Sequence, residues 1–150
     1  MKHLEVYIRN EKATPPSRSK ATDAGLDLVS AEDIFIELGS TRVVKTGIAV
    51  KVPEGFVGKI EDRSGLASKG LRTGAGVIDA GYNGEVGVVI HNLTSELAKD
   101  PVLLRPGYQI RRGDRIAQLL LYKVETPEVV VVDTSWESER GSSGFGSSGR

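Results

Sequence analysis

Residues 76–91 read Gly76-Val77-Ile78-Asp79-Ala80-Gly81-Tyr82-Asn83-Gly84-Glu85-Val86-Gly87-Val88-Val89-Ile90-His91. The second half alternates: Val86, Val88 and Ile90 fall on one side of an extended chain, and Glu85, Gly87, Val89 and His91 on the other. A period of two marks a strand, because successive side chains point to opposite faces of a sheet. Val89 adds an apolar group to the second face, so this strand should be mostly buried. The first half is a turn between strand candidates. Its three glycines tolerate positive φ and let backbone approach a ligand closely, and it carries a single carboxylate, Asp79.

The same grammar extends in both directions. Leu4 to Ile8 alternates like a half-buried strand, and Thr14-Pro15-Pro16-Ser17 then breaks it into loop. Ile34-Phe35-Ile36 is a short β-prone run that Gly39-Ser40 ends. Val43, then Ile48, Val50 and Val52, read as a hairpin-like region containing Gly47, with Pro53-Glu54-Gly55 as its turn, and Phe56 to Glu61 resumes the strand. Val102-Leu103-Leu104, Ile116 to Tyr122 and Val129 to Val132 complete the set. Ser64 to Lys69 is the one plausible helical turn mid-chain, with Ser64 as its cap and a left-handed Gly70 as its end. Turn signals recur roughly every ten residues, the rhythm of an all-β sandwich, jelly roll or barrel. No fixed-period repeat is present.

Composition agrees. Aromatic residues make up 5% of the 150 residues and glycine contributes 18, so Val, Ile and Leu must build the core of a single domain. Twenty Lys and Arg balance 20 Asp and Glu. A nucleic-acid coat would need a cationic surplus, whereas a small anion needs only a few local donors. With 0 cysteines, a disulfide framework and a thiolate metal site are both excluded. No stretch is long and apolar enough to span a bilayer, and Met1 to Asn10 lacks an apolar leader segment, so a soluble intracellular protein is expected. It would sit in the cytoplasm, or in the nucleus or an organelle of a eukaryote. After Trp136 the composition turns to Gly and Ser, which divides the chain into a domain at 1–136 and a tail at 137–150.

Four constellations carry potential chemistry. Arg63-Ser64-Gly65 opens the short helix, where unpaired N–H groups suit an anion; alone, it reads rather as an ordinary cap beside a surface arginine. Asp79 beside its glycine turn can serve as general base towards a water, or can merely cap its own turn. Gly113-Asp114-Arg115-Ile116-Ala117-Gln118 opens a buried strand, and the Gln118 amide needs partners there, from the core or from a ligand. In the tail, Arg140-Gly141-Ser142-Ser143-Gly144-Phe145-Gly146-Ser147-Ser148-Gly149 can wrap a polyphosphate and stack Phe145 on a base, or can be a plain flexible linker.

Taken in order, these pieces resemble the five motifs of the trimeric dUTPase family, from Ala24 to Gly149. Ala24-Gly25-Leu26-Asp27-Leu28 is similar to the first motif and Arg63-Ser64-Gly65-Leu66-Ala67 to the second. Gly76 to Gly84, with Glu85-Val86-Gly87-Val88-Val89 after it, is similar to the third. Gly113 to Leu119 is similar to the fourth and Arg140 to Gly149 to the fifth. Leu26 stands where members often carry an aromatic residue, Gly81 where an acidic residue often precedes the tyrosine, and Asp23 where a small residue is frequent.

The resemblance implies a jelly-roll-like β barrel, a homotrimer with shared active sites, and a C-terminal lid. It implies hydrolysis of dUTP to dUMP and pyrophosphate, which keeps uracil out of DNA and supplies dUMP for thymidylate synthesis. Asp79 would be the base that activates water against the α-phosphorus. Tyr82 would pack under the deoxyribose, and the backbone from Gly76 through Ile78 would read the uracil edge. Arg63, Ser64, Gly65 and Gln118 would contact phosphate. Phe145 would cover the base, while Arg140, Gly146, Ser147 and Ser148 close over the γ-phosphate. Mg²⁺ would ride on the triphosphate, with Asp27 near it but not a direct ligand. One chain would supply the first, second and fourth motifs, and other chains the third and the fifth. The same resemblance leaves two alternatives: a dCTP deaminase-type enzyme on a related fold, and a nucleotide-gated regulatory protein.

Overall fold

The computed structural model describes residues 3–94, 106–138 and 141. Its described residues form eleven strands and one short helix, and every strand pairing is antiparallel. The all-β expectation therefore holds. β1 (Glu5–Ile8) pairs with β5 (Ile48–Lys51), and β3 (Ile34–Glu37) with β10 (Gly107–Ile110). A four-stranded sheet runs in the order β2 (Leu26–Val29), β11 (Arg115–Lys123), β6 (Phe56–Glu61), β8 (Val77–Ile78). A three-stranded sheet runs β4 (Thr41–Lys45), β9 (Gly87–Asn92), β7 (Leu71–Gly74). The helix α1 (Ser64–Ala67) bridges β6 and β7.

The core is aliphatic, as the scarcity of aromatics requires. Leu28, Ile36, Val44, Ile48, Val88, Ile90, Ile110, Ile116 and Leu119 belong to one buried cluster, with Phe56 and Tyr108 packed at its margin. β9 keeps the expected alternation: Val88, Ile90 and Asn92 are buried, while Gly87, Val89 and His91 are half-exposed. Asn92 is polar and fully buried, yet satisfied. Its Nδ2 donates to the Ile36 carbonyl at 2.8 Å, and its Oδ1 accepts from the Thr94 N–H at 3.0 Å and the Thr94 hydroxyl at 2.7 Å. A buried amide with its donors and acceptor met fixes the end of β9 against β3.

Four expectations need correction. The apolar run around Val43 to Val52 does form two strands, but they do not pair as a hairpin: β4 joins β9, and β5 joins β1. Gly47 turns the chain between the sheets at φ +70, and a Cβ there would lie 2.7 Å from the Asn10 side chain. Val129 to Val132 form no strand and are 57–89% exposed, and among the described residues no strand pairs with them. The helix stops at Ala67, short of Lys69; Gly70 is left-handed at φ +92 as expected, but follows a C-cap at Ser68. Ser64 is not the N-cap. Arg63 takes that place with extended φ and ψ, and no side chain caps the turn. The strands β2, β7, β8 and β10 were not read from the sequence at all. Val102-Leu103-Leu104 lies outside the described residues.

Candidate active site

The site starts from register. β11 lies between β2 and β6, so Gln118 in its middle faces Asp27 on one side and Glu61 on the other. The last residues of β6 then lead through Asp62 into Arg63-Ser64-Gly65. Three segments far apart in sequence thus meet at one end of one sheet. They line a pocket of about 540 Å³, together with Ser19, Asp23, Ala24 and Gly25. Asp27, Arg63, Ser64, Gly65 and Gln118, each marked from the sequence, are all in its wall.

Asp27 is clamped between two arginines. Its Oδ1 pairs with Arg63 Nε at 2.9 Å and its Oδ2 with Arg115 Nη1 at 3.2 Å, and its side chain is only 15% exposed. Arg63 also donates through Nη1 to the Arg115 carbonyl at 3.1 Å. The guanidinium is held at two of its nitrogens, and among the described residues Nη2 has no partner. A pre-oriented guanidinium with a spare donor edge suits a phosphate oxygen. Gln118 is oriented as firmly: its Nε2 donates to the Asp62 carbonyl at 2.8 Å. Its Oε1 lies against Gly25, where a Cβ would come within 2.2 Å. Glycine is needed at 25 for this close approach. The helical bonds of α1 begin with Leu66 N–H on the Arg63 carbonyl at 3.0 Å, so the N–H groups of Ser64 and Gly65 precede the ladder. Asp23, at the departure noted above, caps its own loop by accepting from Lys20 N–H at 2.8 Å.

Two groups of importance here were not singled out from the sequence. Arg115 looks like the end of a turn, and only the β2–β11 pairing brings it to Asp27. Asp62 looks like a surface carboxylate, but it ties the loop to β7. Its Oδ1 accepts from the Thr73 N–H at 2.6 Å and the Thr73 hydroxyl at 2.8 Å, and its Oδ2 accepts from Arg72 Nε. Burial alone would raise the Asp62 pKa. The Thr73 N–H, the Thr73 hydroxyl and the Arg72 guanidinium outweigh that, and hold the carboxyl below the ordinary carboxylate range. The signal in the sequence was its position next to Arg63.

The Asp79 hairpin is a separate locus in the single chain. Gly76, at φ +93, sits so close to β6 that a Cβ would meet the Ile60 carbonyl oxygen at 2.8 Å. Its own carbonyl accepts from Ile60 N–H at 2.8 Å. Ile78 is buried opposite Gly58, while Asp79 and Tyr82 are exposed at the tip. Tyr82 N–H donates to the Asp79 carbonyl at 3.1 Å, closing the turn over Gly81 at φ +95. Tyr82 lines a different cavity from the Asp27 pocket, and Asp79 is absent from that pocket's wall. The chain therefore brings Asp27, Arg63, Ser64, Gly65 and Gln118 together and leaves Asp79, Tyr82, Gly76 and Ile78 apart from them. Arg140, Phe145, Gly146, Ser147 and Ser148 lie outside the described residues.

Fold and pocket together define an all-β protein with an arginine-clamped, anion-accepting site. The family model described as dUTPase matches residues 11–149. A deoxyuridine 5'-triphosphate nucleotidohydrolase of Saccharomyces cerevisiae is 43% identical over 150 residues, 99% of this chain and 95% of that one. The enzyme of the same name from Paramecium bursaria Chlorella virus 1 is 42% identical over 150 residues, 99% of each chain. Among solved structures, the Staphylococcus bacteriophage 80alpha dUTPase with dUPNHPP superposes with a TM-score of 0.87 at 37% identity, covering 100% of both chains. The chain belongs to the dUTPase family.

Proposed function

We propose that this protein hydrolyses dUTP to dUMP and pyrophosphate, with the triphosphate seated in the Asp27–Arg63–Gln118 pocket. The observation that carries the reading is the convergence of Asp27, Arg63, Ser64, Gly65 and Gln118 from three sequence-distant segments in one pocket wall. Fixed cations and free N–H groups in such a pocket stabilise charge developing on phosphate oxygens. Asp79 is the general base for water attack on the α-phosphorus. Tyr82 packs under the deoxyribose, the Gly76–Ile78 backbone reads the uracil edge, and the tail with Arg140, Phe145 and residues 146–148 closes over the bound nucleotide.

Asp79 stands apart from the phosphate pocket within one chain, which supports a site completed between chains. We read the assembly as a homotrimer of jelly-roll barrels, each site taking its hairpin from one chain and its phosphate pocket from another. Tyr7, Val43, Val77 and Val129 to Val132 are exposed apolar groups that such an assembly would cover. The residues 1–136 act as the barrel and 137–150 as the closing tail.

Magnesium fits as a passenger on the substrate. Both Asp27 oxygens are engaged by guanidinium groups, so a metal would have to displace an arginine to bind there directly. When bound through the phosphates it would supply charge neutralisation, with Asp27 acting by holding Arg63 and Arg115. Among the described residues, no helix is long and apolar enough to cross a membrane.

The test is pyrophosphate release from dUTP with magnesium present, run beside dTTP, dCTP and UTP, together with ammonia release from dCTP. Fast release from dUTP alone supports the reading. Ammonia from dCTP would make the protein a deaminase, and an intact oligomer inert to all four would leave a regulatory binder.

A further inference from the structure

The hairpin carrying Asp79 and Tyr82 is held by contacts that take no part in the proposed chemistry. Arg9, at the end of β1, donates through Nη2 to the Asn83 carbonyl at 3.0 Å. The N–H of the same residue donates to the Gly47 carbonyl at 2.8 Å. Gly47 N–H in turn donates to Glu85 Oε1 at 2.8 Å. Asn83 and Glu85 are two residues apart, so these bonds close a ring through β1, the β4–β5 turn and the hairpin. Tyr82 lies directly before Asn83 and is tied to the ring at Glu85. Its hydroxyl donates to the Glu85 carbonyl at 2.9 Å. Its ring lies over Gly84, where a Cβ would come within 2.3 Å of the phenol oxygen and 2.5 Å of Cζ.

We propose that Arg9 and Glu85 are positioning residues that set where the Tyr82 ring lies, and through it the preference for deoxyribose over ribose nucleotides. This rests on the reading of Tyr82 given above. The physical argument is one of tolerance. Tyr82 is exposed at the tip of a turn, and its ring rests on Gly84 with its hydroxyl on the Glu85 carbonyl. Its place is dictated by the backbone at Gly84 and Glu85. That backbone is fixed by a charge-assisted bond from Gly47 to the half-buried Glu85 carboxylate, and by the Arg9 guanidinium on the preceding carbonyl. Selection against a single hydroxyl by steric contact fails when the contacting ring moves by a fraction of an ångström, since the hydroxyl then finds room. Release of either brace should therefore act on selectivity before it acts on stability.

Three variants of the full-length protein test this: Glu85→Ala, Glu85→Gln and Arg9→Met. The readout is the ratio of kcat/KM for dUTP to that for UTP, with kcat and KM reported separately and the oligomer checked by light scattering. Glu85→Ala and Arg9→Met should lower the ratio roughly tenfold, the size expected of a sub-ångström misplacement. In both, kcat at saturating dUTP should stay within about threefold of wild type, because the base is untouched. Glu85→Gln keeps an oxygen for the Gly47 N–H and should restore most of the ratio. An unchanged ratio in both Glu85→Ala and Arg9→Met, or a Glu85→Gln protein as unselective as Glu85→Ala, overturns the proposal while leaving the site reading intact. A wild-type protein that does not favour dUTP over UTP overturns both.

Discussion

Replacing Asp62 with alanine removes one acceptor from three donors at once. The carboxylate takes the Thr73 N–H at 2.6 Å, the Thr73 hydroxyl at 2.8 Å and Arg72 Nε, and its side chain is 22% exposed against 58% for Arg72. The two Thr73 bonds go to an ionised acceptor in a half-buried place, so each contributes about 1.5 kcal/mol. The Arg72 pair is open to solvent on the cationic side and contributes about 0.5 kcal/mol. The loss in Asp62→Ala should therefore be about 3.5 kcal/mol, lowered to about 2 kcal/mol if water reaches the freed Thr73 N–H. Asp62→Asn keeps a carbonyl oxygen for Thr73 and loses only the charge, so about 1 kcal/mol is expected. Urea unfolding at one fixed protein concentration is the assay, because an oligomer's apparent stability depends on concentration. The pH arm has a definite sign. A carboxyl with a folded pKa below its unfolded one stabilises fully above the unfolded value, and the gain is lost as pH falls through the folded value. The difference between wild type and Asp62→Asn should then be flat above about pH 5 and shrink below about pH 4. An Asp62→Ala protein within about 0.5 kcal/mol of wild type would refute the anchoring argument. So would a gap between wild type and Asp62→Asn that narrows as pH rises from neutral.

Other outcomes follow from the same geometry. Asp79→Asn should bind nucleotide nearly as wild type but lose turnover by roughly 10²–10⁴, read by titration calorimetry beside steady-state kcat. Gly25→Ala places a methyl 2.2 Å from Gln118 Oε1, so the amide must leave its place on the Asp62 carbonyl; KM for dUTP should rise about tenfold with the fold retained. Deletion of residues 140–150 should spare the melting temperature and the oligomer while strongly lowering kcat/KM; a deletion that melted the protein would make the tail a structural element.

What could be read from the sequence was whatever repeats locally. β9 announced itself because Val88 and Ile90 alternate with half-exposed neighbours in a period that only an extended chain explains. The anion-accepting chemistry of the Asp27–Arg63–Gln118 pocket was visible too, since guanidinium, amide and early helical N–H groups suit anions wherever they lie. Partnership across the sheet was not visible. Val43 to Val52 has the apolar spacing of two strands, and spacing cannot say that Gly47 sends the second into another sheet. Arg115 and Asp62 have the look of surface charges until β11 is laid between β2 and β6.

Val129 to Val132 make the same point in reverse. Four consecutive valines have the strongest β preference in the C-terminal third, yet their side chains are 57–89% exposed. Local preference supplies a conformation; only a neighbouring edge supplies the hydrogen bonds and the dry surface that make a strand stable. Among the described residues no strand pairs with them, just as Asp79 is absent from the wall of the Asp27–Arg63–Gln118 pocket. An apolar segment that pairs with no described strand and a pocket without the proposed base, Asp79, raise one requirement between them. In the proposed trimer a second copy would meet both, and that is why the trimer reading and the catalytic reading stand or fall on the same oligomer measurement.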